Sequence, residues 1–235
     1  MTKILIGFIA AVVILYGIFS LSQESRIDAL EKSKDRGKIA WHVEMAKAKG
    51  QKDVVIGASL VDYAVPRNLD EALAHHDLVL AEVLSNKSFS ADTDITTWYK
   101  FRLIETFSTH TETCSICPSP AEAPSELLPL NEGEFLLQQL GGEVEIEGVK
   151  VVGRNTQFPA FDHGKKYLIF LSFDSNKLVA SAPMGPWGTF ISGPDEKIHP
   201  VDEKLIHNVR SEMASRFNDS LTSMRKHLKT NEREN

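Results

Sequence analysis

The segment His163–Phe173, HGKKYLIFLSF, constrains the fold more than any other stretch of the chain. A charged lead-in gives way to a nearly continuous apolar run, and Asp174-Ser175-Asn176 supplies a polar exit. Side chains alternate across a strand, so Tyr167, Ile169, Leu171 and Phe173 face one way and Leu168, Phe170 and Ser172 the other. Both faces are mainly apolar. A strand with one wet face would show polar residues at every second position. The run therefore predicts an inner strand covered on both sides. A short buried helix has the same hydrophobicity, but the length, the aromatic content and the bounding Gly164 favour a strand.

Other segments read as its partners. Asp77–Ser85 is apolar and predicted as a strand, with Asn86–Asp94 as a polar turn. Thr97–Phe107 alternates, Tyr99, Phe101 and Leu103 against Lys100 and Arg102, which predicts a strand with one wet face. Gly141-Gly142 precedes Glu143–Ile146 and Val149–Val152, and the two-residue link Glu147-Gly148 marks a hairpin. Glu143, Glu145 and Glu147 share one face, which must be solvated. Leu178–Ala182 and Gly188–Ser192 are shorter strands. Trp187, set among Pro183, Gly185, Pro186 and Gly188, is expected to plug one end. Strands of this number and spacing predict a mainly-β protein: a small antiparallel barrel, closed or partly closed, with flanking helices. Closure also hides the sheet edges that so apolar a strand would expose.

Asn68-Leu69-Asp70-Glu71 reads as the cap and first turn of a short helix, Leu69–His75. His75 and His76 are neighbours on it and point in different directions, so they do not chelate one metal as an i, i+4 pair would. Histidines at a helix C-terminus favour the local dipole instead. In the segment 202–229, Ile206, Val209, Met213, Phe217, Leu221, Met224 and Leu228 recur every three or four residues, an amphipathic helix for which docking on the barrel is favoured over pairing with another chain or with the 23–49 helix. The segment 23–49 is charged and reads as a helical stalk, with Gly37 as a breaking point; Ile39, Trp41, Val43 and Met45 form no clean helical stripe, so irregular packing of its second half against the body is the alternative. Val54–Ile56 and Val61, Tyr63 and Val65 then read as extended up to Pro66. The expected organisation is an anchor or signal (1–22), a stalk and leading segment (23–66), a barrel (67–200) with a Pro-rich insertion (108–140), and a C-terminal helix and tail (201–235).

Ile4–Leu21 carries no charged side chain. As a helix it spans about 27 Å, close to the hydrocarbon thickness of a bilayer. A signal-peptide core is usually shorter, so an uncleaved membrane anchor is favoured over a signal cleaved after Ser22 and over a buried soluble helix. Lys3 precedes the run, whereas Arg26, Lys32, Lys34, Arg36 and Lys38 follow it, a bias that argues for a cytoplasmic body. Glu24, Asp28, Glu31 and Asp35 interleave with those cations and weaken the bias. The net charge of −6 over 235 residues gives no footprint for nucleic acid. There are only two cysteines, too few for a disulfide-dense scaffold.

The runs Asp77–Val83, Trp98–Phe101, Gly141-Gly142, Phe161–Leu171 and Gly185–Phe190 together resemble a group of bacterial secreted or membrane-anchored proteins. Their barrel is similar to the OB-like domain of netrin modules and tissue inhibitors of metalloproteinases. The resemblance covers roughly 68–200 and rests on structural glycines and apolar strands, so it implies a fold and not an activity. It also implies an extracytoplasmic body, against the charge bias. The inhibitors block zinc with an N-terminal cysteine; this chain begins with an apolar span and has no cysteine there, so that mechanism does not carry over.

The one conspicuous chemical motif is Cys114-Ser115-Ile116-Cys117-Pro118. A structural disulfide suits an oxidising compartment and is favoured. A redox dithiol needs a low-pKa first cysteine at a helix N-terminus, which Pro118, Pro120 and Pro124 disfavour. A zinc site could draw on His110, Cys114 and Cys117, joined by Glu112 or a remote ligand, but a structural zinc site wants four, and the fourth is unidentified. Asp162-His163 before Gly164 could pair a base with its orienter, yet reads better as a turn. Phosphate-binding glycine loops, nucleophile elbows and His-Glu-x-x-His are absent from the sequence. No catalytic residue is assigned. The expectation is a non-catalytic, membrane-anchored binding domain of the cell envelope, anchored through 4–21 and taking a protein or peptide partner. The alternative is a thiol-redox or zinc-dependent protein centred on Cys114 and Cys117.

Overall fold

A computed structural model describes residues 23–57, 61–110, 114, 117–174, 176–204 and 207–231. The expected anchor, Ile4–Leu21, lies outside them. Among the described residues no helix is long and apolar enough to cross a membrane. The elements, in chain order, are α1 (23–31), α2 (Ile39–Ala48), β1 (Asp53–Gly57), α3 (Leu69–His75), β2 (Asp77–Ser90), β3 (Ile95–Ser108), β4 (Glu134–Leu140), β5 (Gly142–Ile146), β6 (Val149–Arg154), β7 (Lys166–Phe173), β8 (Val179–Ser181), β9 (Thr189–Ser192), β10 (Ile198–Pro200), α4 (Asn208–Phe217) and α5 (Leu221–Asn231).

The apolar run is β7, and its neighbours explain its composition. β2 pairs with one edge, from Asp77 opposite Leu171 to Glu82 opposite Lys166. The other edge is shared: β9 takes Lys166–Ile169 and β8 takes Ser172 and Phe173. Five strands close into a ring, β7–β2–β3–β4–β8–β7. Tyr167, Ile169 and Leu171 point into this barrel with Val79, Phe101 and Leu137. Leu168 and Phe170 point outward beneath α4 and α5, against Val209, Met213 and Met224. Each face of β7 thus has its own apolar cover, which is why no polar alternation appears in it.

The barrel interior is filled largely by aromatic rings. Phe161 meets Tyr99, Phe101, Phe158 and Tyr167 edge-on at 4.9–5.3 Å, and Phe101 stacks on Phe135 at 5.3 Å. Each such pair adds about 0.5–1.5 kcal/mol beyond its buried area.

Several expectations need correction. The barrel is not wholly antiparallel, because β4 and β8 pair in parallel, Leu136 with Val179. The insertion does not run to residue 140, because Glu134–Leu140 is β4, a barrel strand. Its apolar residues, Phe135, Leu136 and Leu137, are consecutive because Phe135 and Leu137 fill the barrel while Leu136 joins Trp98, Leu127 and Val179 outside. That outer cluster also covers part of the face of β3 expected to be wet. The polar turn shrinks to 91–94, since β2 continues to Ser90 alongside β3.

The predicted hairpin forms as β5 and β6, but it does not join the barrel. It makes a separate sheet with β1, which pairs in parallel with β6 from Asp53 opposite Lys150 to Gly57 opposite Arg154. The second half of the expected stalk is docked on this sheet. Ile39, Val43 and Ala46 lie at i, i+4 and i+7 on α2 and bury against Ile56, Val149 and Val151. Val61, Tyr63 and Val65 lie outside any strand.

The single C-terminal helix is two. Asn218 and Asp219 adopt left-handed backbone conformations (φ +52° and +48°), which end α4 and turn the chain into α5. The apolar stripe survives the break, with Val209, Met213, Phe217, Leu221 and Met224 all buried against the barrel. Docking on the barrel is therefore the outcome; Ile206 lies outside the described residues.

Candidate binding site

The two ends of the barrel differ. At the end where β3 begins and β4 and β8 finish, the chain from 61 to 64 crosses the opening. Ala64 N donates to Pro183 O at 2.7 Å, and Val61 N donates to Gln157 Oε1 at 3.2 Å. Tyr63 sits over Gly185, where a Cβ would lie 2.5 Å from its ring. Its ring meets Phe158 and Trp187 edge-on at 5.9 and 6.0 Å. Tyr63 and Phe158 cap this end and line a cavity of about 280 Å³ with Ala64, Gln139 and Pro183, while Trp187, expected to be the plug, stands outside them and is half-exposed.

The opposite end is open. Here β3 and β7 finish and β2, β4 and β8 begin. A cavity of about 290 Å³ opens there, with Val79, Leu103, Phe135 and Phe173 among its lining residues, together with Thr106 and Lys177. Two turns hold its walls. Asn131 N and Nδ2 donate to the Glu134 carboxylate at 2.9 and 3.0 Å, while Leu103 N donates to Gly133 O at 2.8 Å. Asp174 Oδ1 accepts from Leu178 N and Val179 N at 2.7 and 3.0 Å. Contacts with asparagine and Lys100 hold the Glu134 carboxyl below the usual carboxylate range, first the Asn131 backbone and then its side chain.

The cysteine loop lies against the same end. Cys114 and Cys117 are bonded to each other, with Cα atoms 5.6 Å apart. Cys114 N donates to Phe173 O at 2.8 Å, Cys114 Sγ lies 3.4 Å from Ser181 Oγ, and Cys117 Sγ lies 3.3 Å from Ser172 O. The loop is thus tied to the end of β7 and to β8. His110 N donates to Asp77 Oδ1 at 2.5 Å, tying the loop to the start of β2.

His110, proposed with Cys114 and Cys117 as a zinc ligand, lies instead near His75, with ring centroids 6.1 Å apart. The bonded sulfurs offer no thiolates, and among the described residues no three His, Cys, Asp or Glu side chains gather as a metal site. Glu112 lies outside the described residues. His76 caps the end of α3, its Nδ1 3.1 Å from Ser172 Oγ. Burial lowers its pKa, and the neighbouring His75 and His110 lower it further. Asp162 and His163 form the expected turn: Lys165 N donates to Asp162 O at 3.2 Å, Lys165 Nζ pairs with the Asp162 carboxylate, and His163 is exposed.

Inside the barrel, burial pushes the Tyr99 phenol up to about 12 and raises that of Tyr167, whose oxygen accepts from Asp162 N at 2.9 Å. These phenols stay protonated near neutrality, as core groups that find hydrogen-bond partners do.

The cavity was missed in the sequence because its lining is split among strand ends, and β4 itself was read as insertion. The usable signal was Phe173, an aromatic at the last position of an apolar strand, immediately before a polar turn. No family model matches the chain, and no curated protein matches it.

Proposed function

We propose that this chain is a non-catalytic binding domain, held at a membrane and facing an oxidising compartment, whose OB-like barrel receives an apolar side chain of a protein or peptide partner at its open end. The observation that carries the reading is the cavity itself. The barrel interior is occupied by rings, so a side chain entering the barrel itself does so at an end. The end where β2, β4 and β8 begin joins an apolar floor of Val79, Leu103, Phe135 and Phe173 to walls pinned by hydrogen-bonded turns, with no chain segment crossing it among the described residues as 61–64 crosses the other end. The ring order β2–β3–β4–β8–β7 supports the OB-like assignment, a five-stranded barrel whose ligands approach faces and loops. The Cys114–Cys117 bond supports an oxidising compartment. The uncharged run Ile4–Leu21 supports the tether.

The binding test uses N-acetylphenylalaninamide as the probe, followed through the methyl resonances of Val79 and Leu103. Saturable shifts are expected, and Leu103→Trp, which fills the cavity, should remove those of Val79 while leaving the folded spectrum in place. Unshifted methyls at millimolar probe, or shifts unchanged in Leu103→Trp, would overturn the assignment. A topology reporter fused after Asn235 tests the compartment separately; cytoplasmic activity would refute the outward orientation.

A further inference from the structure

The small sheet ends on an unpaired edge. β5 pairs only with β6 among the described residues. A second strand edge lies open beside it, because β7 covers β2 only as far as Glu82. One further link joins Val83 to Gly164 and Lys165. From there to Ser90 β2 has β3 on one side and, among the described residues, no strand on the other. Between these two edges runs a cleft of about 570 Å³, lined by Asn86–Ser90 and Glu143–Ile146. It closes at Gly142, where a Cβ would lie 2.5 Å from Ser88 Oγ.

We propose that this cleft receives an extended segment of a partner protein, added as a strand to β5, in which cationic and apolar residues alternate. An open edge offers rows of unpaired N–H and C=O groups that an extended chain satisfies. The two faces of β5 then specify the sequence. Glu143 and Glu145 are exposed on one face. Val144 and Ile146 are half-buried on the other, packed on the cluster of Ile39, Val43 and Val151. A strand laid beside β5 continues both faces, so its cations fall beside the carboxylates and its apolar side chains extend the layer under α2.

Charge decides among possible occupants. Lys150 already pairs with Glu143, but among the described residues Glu145 has no ion-pair partner. Lys87, on the opposite wall, is committed to Glu126 at 3.4 Å. A second copy of the chain docking through its own β5 would set glutamates beside glutamates, and like charges directly opposite destabilise a strand pair. The proposal does not depend on the open barrel end.

The test titrates the full chain with a fluorescein-labelled Arg-Val-Arg-Val-Arg-Val peptide, read by anisotropy and by amide hydrogen exchange. Saturable binding is expected, with new protection at 143–146 and 86–90. Glu145→Lys should weaken it roughly five- to tenfold. Glu-Val-Glu-Val-Glu-Val should not bind. Arg-Arg-Arg-Val-Val-Val, with equal charge, should bind less well, and N-methylation at alternate residues should abolish binding. Leu103→Trp should change nothing. The proposal is overturned if no binding appears at millimolar peptide, or if the equal-charge peptide binds equally. It also falls if N-methylation is without effect, if the protection appears at the barrel end, or if β5 instead mediates self-association.

Discussion

The barrel and the small sheet are built from similar strands and meet at Gly141-Gly142, yet they manage their edges in opposite ways. In the barrel the ring closes, β7 shares its second edge between β8 and β9, and aromatic side chains fill the interior. In the small sheet one face is covered by α2, its residues are aliphatic, and the outer edge of β5 pairs with no strand among the described residues. Closure spends most strand edges on internal pairing, the far half of β2 excepted, and concentrates stability there. An open sheet keeps an edge available at the cost of a thinner core. The difference teaches that stability and recognition are divided between the two regions.

The sharpest test of that division compares one core deletion in each. Phe101→Ala removes a fully buried ring stacked on Phe135 and edge-on to Phe161, and should cost about 3–5 kcal/mol in urea unfolding. Val151→Ala, equally buried in the small sheet, should cost about 2 kcal/mol. It should raise hydrogen exchange in β1, β5 and β6 while leaving the barrel protected. Equal losses, spread over both regions, would mean they unfold as one unit and the comparison fails.

The joint between them is next. Gly142 has φ +132°, and a Cβ there would lie 2.1 Å from Thr97 Oγ1. That hydroxyl cannot easily yield, because it donates to Gly141 O at 2.6 Å and lies 2.7 Å from Ser88 Oγ. Gly142→Ala should therefore cost roughly 1–3 kcal/mol from backbone strain alone. Exchange should rise first at Ser88, Thr97 and Glu143; a variant as stable as the parent would show that the joint is not under this constraint.

The smallest effect is a pH dependence at the barrel's open end. His76 titrates below its ordinary value in the folded chain, from burial first and then from His75 and His110. The unfolded chain thus binds more protons in the window between the two values. The stability that neutral His76 contributes is complete above the unfolded value, near 6.5, and is lost as pH falls toward the folded one. Burial shifts His42 and His207 the same way. The melting temperature should fall on acidification from pH 7 to pH 5, and His76→Gln should lessen the slope; an unchanged slope would remove His76 as a contributor.

Much of the barrel was legible. Strand β7, the β5–β6 hairpin, the cap at Asn68 and the C-terminal stripe each depend on interactions within a few residues, or on burial that a periodic pattern records directly. Asn68 Oδ1 does accept from Glu71 N, at 2.8 Å. Strand β4 was missed because its three consecutive apolar residues, Phe135, Leu136 and Leu137, serve two different clusters, which erases the alternation. The break at Asn218 was missed because the stripe continues across it in correct phase.

What the sequence alone determined, then, is local: which runs must be buried, on how many faces, and where polar turns must interrupt them. Tertiary structure decided how those pieces were shared. It placed β8 in parallel beside β4, detached the hairpin into a second sheet, laid α2 on that sheet, and gathered Val79, Leu103, Phe135 and Phe173 from four strands into one cavity. Hydrophobicity is non-directional: it says that a residue must leave water, not which surface will receive it. For β7 the receiving surfaces were constrained because both faces needed cover; for β5 only one face did, and the edge beside it stayed open.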